Sequence, residues 1–333
     1  MPDAKSKSAG TQTVRQHIIS VMAVLVLTAL ALVAGEIVIR VKNSSMANYD
    51  IEMWRYAKEL KTTSADPRLG HDHIKDASAL LQSVVIRTNE WGLRGGPVVA
   101  RDKVKKRILF LGSSITLGWG VAEEDTMTAI LARRFEAEGK PTDVLNGGVG
   151  NYNAERSVER FFTELKGLAP SDIVVHYFLR DAEALDAGGG NFLLRHSELA
   201  VTLWIAANRL VNRTGEQSVV DHYGNVYKPD SPGYLAMQAS LRRLAAYAKA
   251  NNIRLYLAMC PDVHNLKNYE FGFIHDRMRQ FAGSEGYTFI DLLPAFGKLS
   301  PEAVWAMPGD PHPNALGHKL MADAIFPIVN SAP

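Results

Sequence analysis

The 333-residue chain carries a single cysteine, Cys260. That rules out an internal disulfide and any cysteine-built metal site within one chain. Cys260 sits in the apolar run LYLAMCP, the setting of a buried, inert thiol. An excess of charge of one sign is also lacking. Lys and Arg number 37 against 35 Asp and Glu, a net +2, so the chain has no electrostatic footprint for a nucleic-acid partner. Internal repeats and low-complexity tracts are missing as well, which removes solenoids and fibrous arrays. Hydrophobic residues make up 47% and charged residues 22%, the balance of a chain with a core.

Long apolar runs are scarce, with one exception near the start. From Ile18 to Ile39 the only charge is Glu36, and a helix of that length covers ~33 Å, enough for a bilayer core. Lys5, Lys7 and Arg15 precede it, which favours a cytoplasmic N-terminus. A cleaved signal peptide ending near Leu32-Val33-Ala34 is the rival reading; the run is long for a signal core, which favours an uncleaved anchor. The expected organisation is a cytoplasmic tail over 1–17, a transmembrane helix over 18–39, a juxtamembrane spacer and N-terminal extension over 40–103, and a main domain over 104–330. The spacer holds a helical patch, YDIEMWRYAKELK, and a strand followed by a glycine-rich turn, ALLQSVVIRTNEWGLRGGP.

From Val104 onward apolar runs alternate with segments of helical spacing. RILFLG, DVLNGG, DIVVHYFL, IRLYLAMCP and YTFIDLL read as strands, with helical patterns between and after them. Such alternation predicts an α/β fold with a parallel sheet covered by helices on both faces. Ligands in such sheets bind at the carboxyl ends of the strands. An insertion at about 187–233 breaks the rhythm with GGG, an apolar helix SELAVTLWIAANRLV and a polar loop DHYGNVYKPDSPG. It reads either as a lid or as a helix packed on the domain.

Four turns carry the chemistry. GSSITLG places Ser113 and Ser114 between a strand and a helix start; either serine can cap that helix, or one can be a nucleophile facing a developing anion. NGGVGNYN offers glycines where backbone can approach a ligand closely. FLRDAE ends the third strand, and PGDPHPNALGH holds Asp310 and His312 two apart on a proline-braced loop. A histidine base needs a carboxylate to fix its tautomer, and this spacing can supply one. His264, beside Asp262, is a second candidate base. His71 and His73 form an H-x-H pair with no acidic or cysteine partner placed to complete a metal site, so no metal is expected.

Taken together, these turns resemble the SGNH, or GDSL-type, serine hydrolase family over most of residues 104–330. RTNEWGLRG resembles a segment that often precedes this domain in bacterial members. The resemblance implies a three-layer α/β/α sandwich around a mostly parallel five-stranded, flavodoxin-like sheet, and a Ser114–His312–Asp310 triad. It implies an oxyanion site built from the Ser114 N–H and from Gly148, Gly150 or Asn151. Arg180 stands where the family usually places an oxyanion-stabilising asparagine; it either substitutes as a donor or marks weakened catalysis. Ser113, Asp181 and His264 are expected as cleft residues. The implied activity is that of an esterase or O-acetyltransferase on O-acyl groups of envelope or secreted polysaccharide, as in relatives active in polysaccharide O-acetylation, with no cofactor. The implied place is the inner membrane, single-pass, with the catalytic domain in the periplasm. Polysaccharide-modification proteins are the expected partners. A catalytically weakened glycan-binding or assembly subunit and a lipid esterase are the alternatives.

Overall fold

A computed structural model describes residues 4–185, 192–212, 218–308 and 312–331. Asp310 and the start of the insertion at Gly188–Asn191 lie outside the described residues. Two units separate: Met1–Ile51 with Gly190–Thr214, and Glu52–Gly189 with Gly215–Pro333.

In chain order the first elements are α1 (Ala4–Asn43), α2 (Tyr49–Glu59), the antiparallel pair β1 (Lys61–Thr63) and β2 (His71–His73), and the antiparallel pair β3 (Ser78–Leu81) and β4 (Val84–Arg87). The stretch Val14–Asn43 of α1 is long and apolar enough to cross a membrane, and its most apolar window is not buried. β3 and β4 form a hairpin where the sequence suggests a single strand. Gln82 and Ser83 turn it with φ of 47° and 63°, and two non-glycine residues in that conformation leave no turn signature to read. The Gln82 N–H donates to Glu52 Oε2 at 2.7 Å, which fixes the turn.

The larger unit continues with β5 (Lys106–Gly112), α3 (Ser114–Leu117), α4 (Met127–Ala137), β6 (Thr142–Gly148), α5 (Ala154–Arg160) and β7 (Asp172–Tyr177). The insertion supplies α6 (Phe192–His196), α7 (Glu198–Asn212) and α8 (Val219–Val226). After it come α9 (Pro232–Ala250), β8 (Arg254–Met259), α10 (Gly272–Glu285), β9 (Thr288–Asp291), α11 (Leu293–Phe296), α12 (Pro301–Val304) and α13 (Ala315–Ser331). α8 replaces an expected polar loop. Val219, Tyr223 and Val226 recur at helical spacing there, and Tyr223 is buried.

The five strands pair in the order β6-β5-β7-β8-β9, all parallel. β7 is buried at every residue and β5 at all but its first, as expected for strands covered on both faces. Right-handed crossovers put connections that travel in opposite directions across the sheet on opposite faces. β5 to β6 runs one way, and the later connections run the other. Accordingly α4 packs with α13 through Phe135 and Phe326, 5.0 Å apart. On the other face Phe161, just past α5, meets Tyr247 of α9 at 5.5 Å. The register sets Gly112 opposite both Gly148 and His176, so three strand ends meet at one edge of the sheet.

Candidate active site

β5 stops at Gly112, and the backbone turns through Ser113 into α3. The turn is tight because the neighbouring strand leaves no room. A Cβ on Gly112 would lie 2.1 Å from Thr116 Oγ1, and one on Gly148 would lie 2.2 Å from the Leu117 nitrogen. Ser113 occupies the cap position, yet its side chain makes no capping bond. Asn146 ties the turn to β6: its Nδ2 donates to the Thr116 carbonyl at 2.8 Å, and its Oδ1 accepts from Gly148 N–H at 3.1 Å.

Arg94 holds the far side. It is buried, and its guanidinium donates to the carbonyls of Leu117, Gly118 and Val121, each at 2.6 Å. Burial pulls its pKa down to about 10. This residue belongs to RTNEWGLRG, where nothing in the sequence announces a staple across the loop after Ser114. Replacing Arg94 by Met keeps the bulk and strands these carbonyls. The expected cost is ~3 kcal/mol or more in urea unfolding, since hydrogen bonds to charged donors are worth more than neutral ones.

His312 approaches from the other end of the chain. Its loop is braced as a short antiparallel pairing: Ala306 N–H donates to the His312 carbonyl at 2.8 Å, and Asn314 N–H to Val304 at 2.7 Å. Trp305 Nε1 donates to the Val263 carbonyl at 3.1 Å and so fastens this loop beside the end of β8. His312 Nε2 then lies 2.7 Å from Ser114 Oγ. Behind the turn, His176 Nδ1 lies 3.0 Å from Thr116 Oγ1, and His318 Nδ1 accepts from Met127 N–H at 3.1 Å. Burial holds both rings down to about 3, so they stay neutral.

The glycine-rich turn after β6 is gripped from the N-terminal extension. Gly150 N–H donates to Tyr56 Oη at 2.9 Å. Tyr56 in turn donates to His73 Nε2 at 2.6 Å, because His73 Nδ1 must give its proton to the Gly92 carbonyl, 2.8 Å away. On the other side, Lys61 Nζ and His71 Nε2 donate to the Gly150 carbonyl at 2.7 and 3.1 Å. Burial brings the Lys61 ammonium down to about 7. Gly148 and Gly150 have therefore committed their N–H groups. Asn151, exposed and with φ of 66°, takes the left-handed conformation that a glycine adopts readily. In a trans peptide the N–H points away from the carbonyl before it. Fixing the Gly150 carbonyl on Lys61 thus aims the Asn151 N–H away from the extension.

Arg180 is exposed, and its Nε binds Glu183 at 3.2 Å. Asp181 is buried rather than lining a cleft, with Oδ2 accepting from Phe178 N–H at 3.1 Å. His264 is half-exposed, with Nδ1 2.9 Å from Asp262 Oδ1.

Burial pushes the Asp181 carboxyl up to about 8. Unfolded, it ionises near 4, so folding takes up a proton between these values, and this group's contribution to stability falls as pH rises through that window. Asp181→Asn keeps an oxygen for the Phe178 N–H and cannot ionise. The variant is expected to be more stable than the wild type by roughly 1–3 kcal/mol at about pH 8 and near parity at about pH 4, read by chemical unfolding at both pH values.

The sequence pattern of the GDSL-like lipase/acylhydrolase family matches residues 110–320, well over half of the chain. No curated protein matches it in sequence. Among solved structures, an acetylxylan esterase from Geobacillus stearothermophilus is similar at 17% identity and a TM-score of 0.43, over 68% of this chain and 95% of its own. An alpha/beta hydrolase from the metagenome of Lake Arreo is similar at 16% identity and a TM-score of 0.45, over 69% and 97%.

Proposed function

Because the chain belongs to the GDSL-like lipase/acylhydrolase family, we propose that it is a serine ester hydrolase whose nucleophile is Ser114. The observation that carries this reading is the 2.7 Å approach of His312 Nε2 to Ser114 Oγ. His312 takes the Oγ proton as Oγ attacks the ester carbonyl. Asp310 orients His312 and stabilises the imidazolium. The Ser114 and Asn151 backbone N–H groups hold the tetrahedral oxyanion, and the occupied N–H groups of Gly148 and Gly150 support Asn151 as the donor from that turn. The proton then passes from His312 to the leaving alcohol, and water or an acceptor hydroxyl releases the acyl group from Ser114.

The domain over 104–330 carries this chemistry outside the cytoplasm, held at the inner membrane by the helix over 18–39. Its substrates are O-acetyl groups on envelope or secreted polysaccharide. A second reading has one observation in its favour. Arg180 is tied to Glu183 at the position where the family usually supplies an asparagine donor, which fits a weakened enzyme kept as a glycan-binding subunit. A fluorophosphonate probe with an aryl acetate assay separates the two. Labelling of Ser114 together with turnover supports the hydrolase; neither labelling nor turnover would overturn it. An acetylated glycan assayed with and without an acceptor glycan separates hydrolysis from transfer.

A further inference from the structure

The smaller unit contains an apolar groove of its own. It has a volume of about 770 Å³, and its walls come from both segments of that unit. Leu32, Val33 and Ile37 of α1 form one side, and Leu199, Leu203 and Trp204 of α7 the other. Only its end is polar, where Glu36, Arg40, His196 and Ser197 gather.

That polar end explains how the insertion is held. Glu36 is the only charge within the apolar run, and an ionisable group at such a position needs partners. The start of α7 provides them. Glu36 accepts from Ser197 Oγ at 2.8 Å and from the N–H groups of Glu198 and Leu199, each at 3.0 Å, while Arg40 Nε donates at 2.7 Å. A carboxylate from α1 thus satisfies the open N–H groups of α7 and faces the positive end of its dipole. Gly35 permits the approach: a Cβ there would lie 3.1 Å from Leu199 Cδ2. Asn43 Nδ2 adds a bond to Glu198 Oε2 at 3.1 Å.

We propose that α6 and α7 are embedded in the outer leaflet of the membrane beside α1, and that the groove between α1 and α7 holds a phospholipid acyl chain. This rests on the anchor reading of α1. The argument is one of continuity. Leu32, Val33 and Ile37 belong to the apolar span itself, so whatever surrounds the span at that depth also reaches α7. The insertion is built for that surrounding. Phe192, Leu193, Leu203, Trp204 and Leu210 are all more than half exposed, which costs free energy in water and gains it in acyl chains. Aromatic residues with Arg40 and Lys42 at the end of α1 match the usual boundary between tails and headgroups. The segment is therefore a second attachment of the protein to the bilayer.

The test uses the full chain in a Cys260→Ala background, in vesicles of phosphatidylcholine and phosphatidylglycerol with brominated acyl chains. A bimane label is placed singly through Leu25→Cys in the span, Leu203→Cys in the groove and Leu235→Cys on α9. The first two labels are expected to lose most of their fluorescence to bromine, and the third to keep it. Quenching at Leu25 without quenching at Leu203 would overturn the groove assignment and leave the anchor standing. Quenching at neither would overturn both. A Leu203 label that is shifted to the blue yet unquenched would mean that protein covers the groove, which also overturns the lipid assignment.

Discussion

Ser114→Ala is expected to lower turnover of an aryl acetate by about 10⁴-fold or more and to abolish fluorophosphonate labelling, while the fold survives. The Oγ atom has one hydrogen-bond partner among the described residues, His312 Nε2. The turn itself is held by backbone and by Asn146 and Arg94, none of which touches Oγ. Removing Oγ should therefore change stability by ~1 kcal/mol or less. His312→Ala should lose a similar factor, since among the described residues His312 Nε2 is the hydrogen-bond partner that can accept the serine proton. The double variant should be little worse than either single one, because groups that act as a unit do not lose their effects additively. Kinetics on purified variants, with thermal melts alongside, check all three. A Ser114→Ala protein that keeps its melt and retains most of its turnover would overturn Ser114 as the nucleophile.

What the sequence makes legible here is whatever depends on local pattern. Continuous apolar runs announce β5, β7 and β8, because strands covered on both faces have no polar side to display. GSSITLG reads as strand, turn and helix start for the same reason. The meeting of Ser114 with His312, 198 positions apart, is not local; it enters through family resemblance, not through spacing. The N-terminal extension shows the limit more sharply. Tyr56, Lys61 and Arg94 fasten the strand-end turns through polar contacts across long stretches of chain, and His73 holds Tyr56 in place. A buried arginine bound to three carbonyls has the same sequence appearance as a surface arginine. The H-x-H pair is another such case: nothing in its pattern says that His71 binds the Gly150 carbonyl or that His73 links Tyr56 to Gly92. The choice between Gly150 and Asn151 likewise turns on a φ angle and on which N–H groups are already occupied.

Gly148→Ala carries the other large expectation, because it tests whether the tight turn sets the position of Ser114. Gly148 is the last residue of β6 and faces Gly112 in the register. The added methyl would meet the Leu117 nitrogen at 2.2 Å, the Thr116 carbonyl carbon at 2.7 Å and Thr116 Cβ at 2.8 Å. Two of these atoms are backbone of α3, so no rotamer change relieves the clash. α3 must move off β6 by about 1 Å, carrying Ser114 at its first position. A displacement of that size at the reacting atom costs ~10²-fold in turnover, and the strained packing costs about 1–3 kcal/mol in stability. Both losses should appear together, with kcat falling more than KM rises, since substrate contacts away from Ser114 are spared. Ala substitution at Gly283, exposed on α10 with no atom within 4 Å of its Cβ position, is the matched control and should leave turnover unchanged while raising stability by up to ~1 kcal/mol through helix propensity. Should Gly148→Ala melt lower but keep full turnover, the turn would be a packing device alone, and the placement of Ser114 would depend on Arg94 and Asn146 instead.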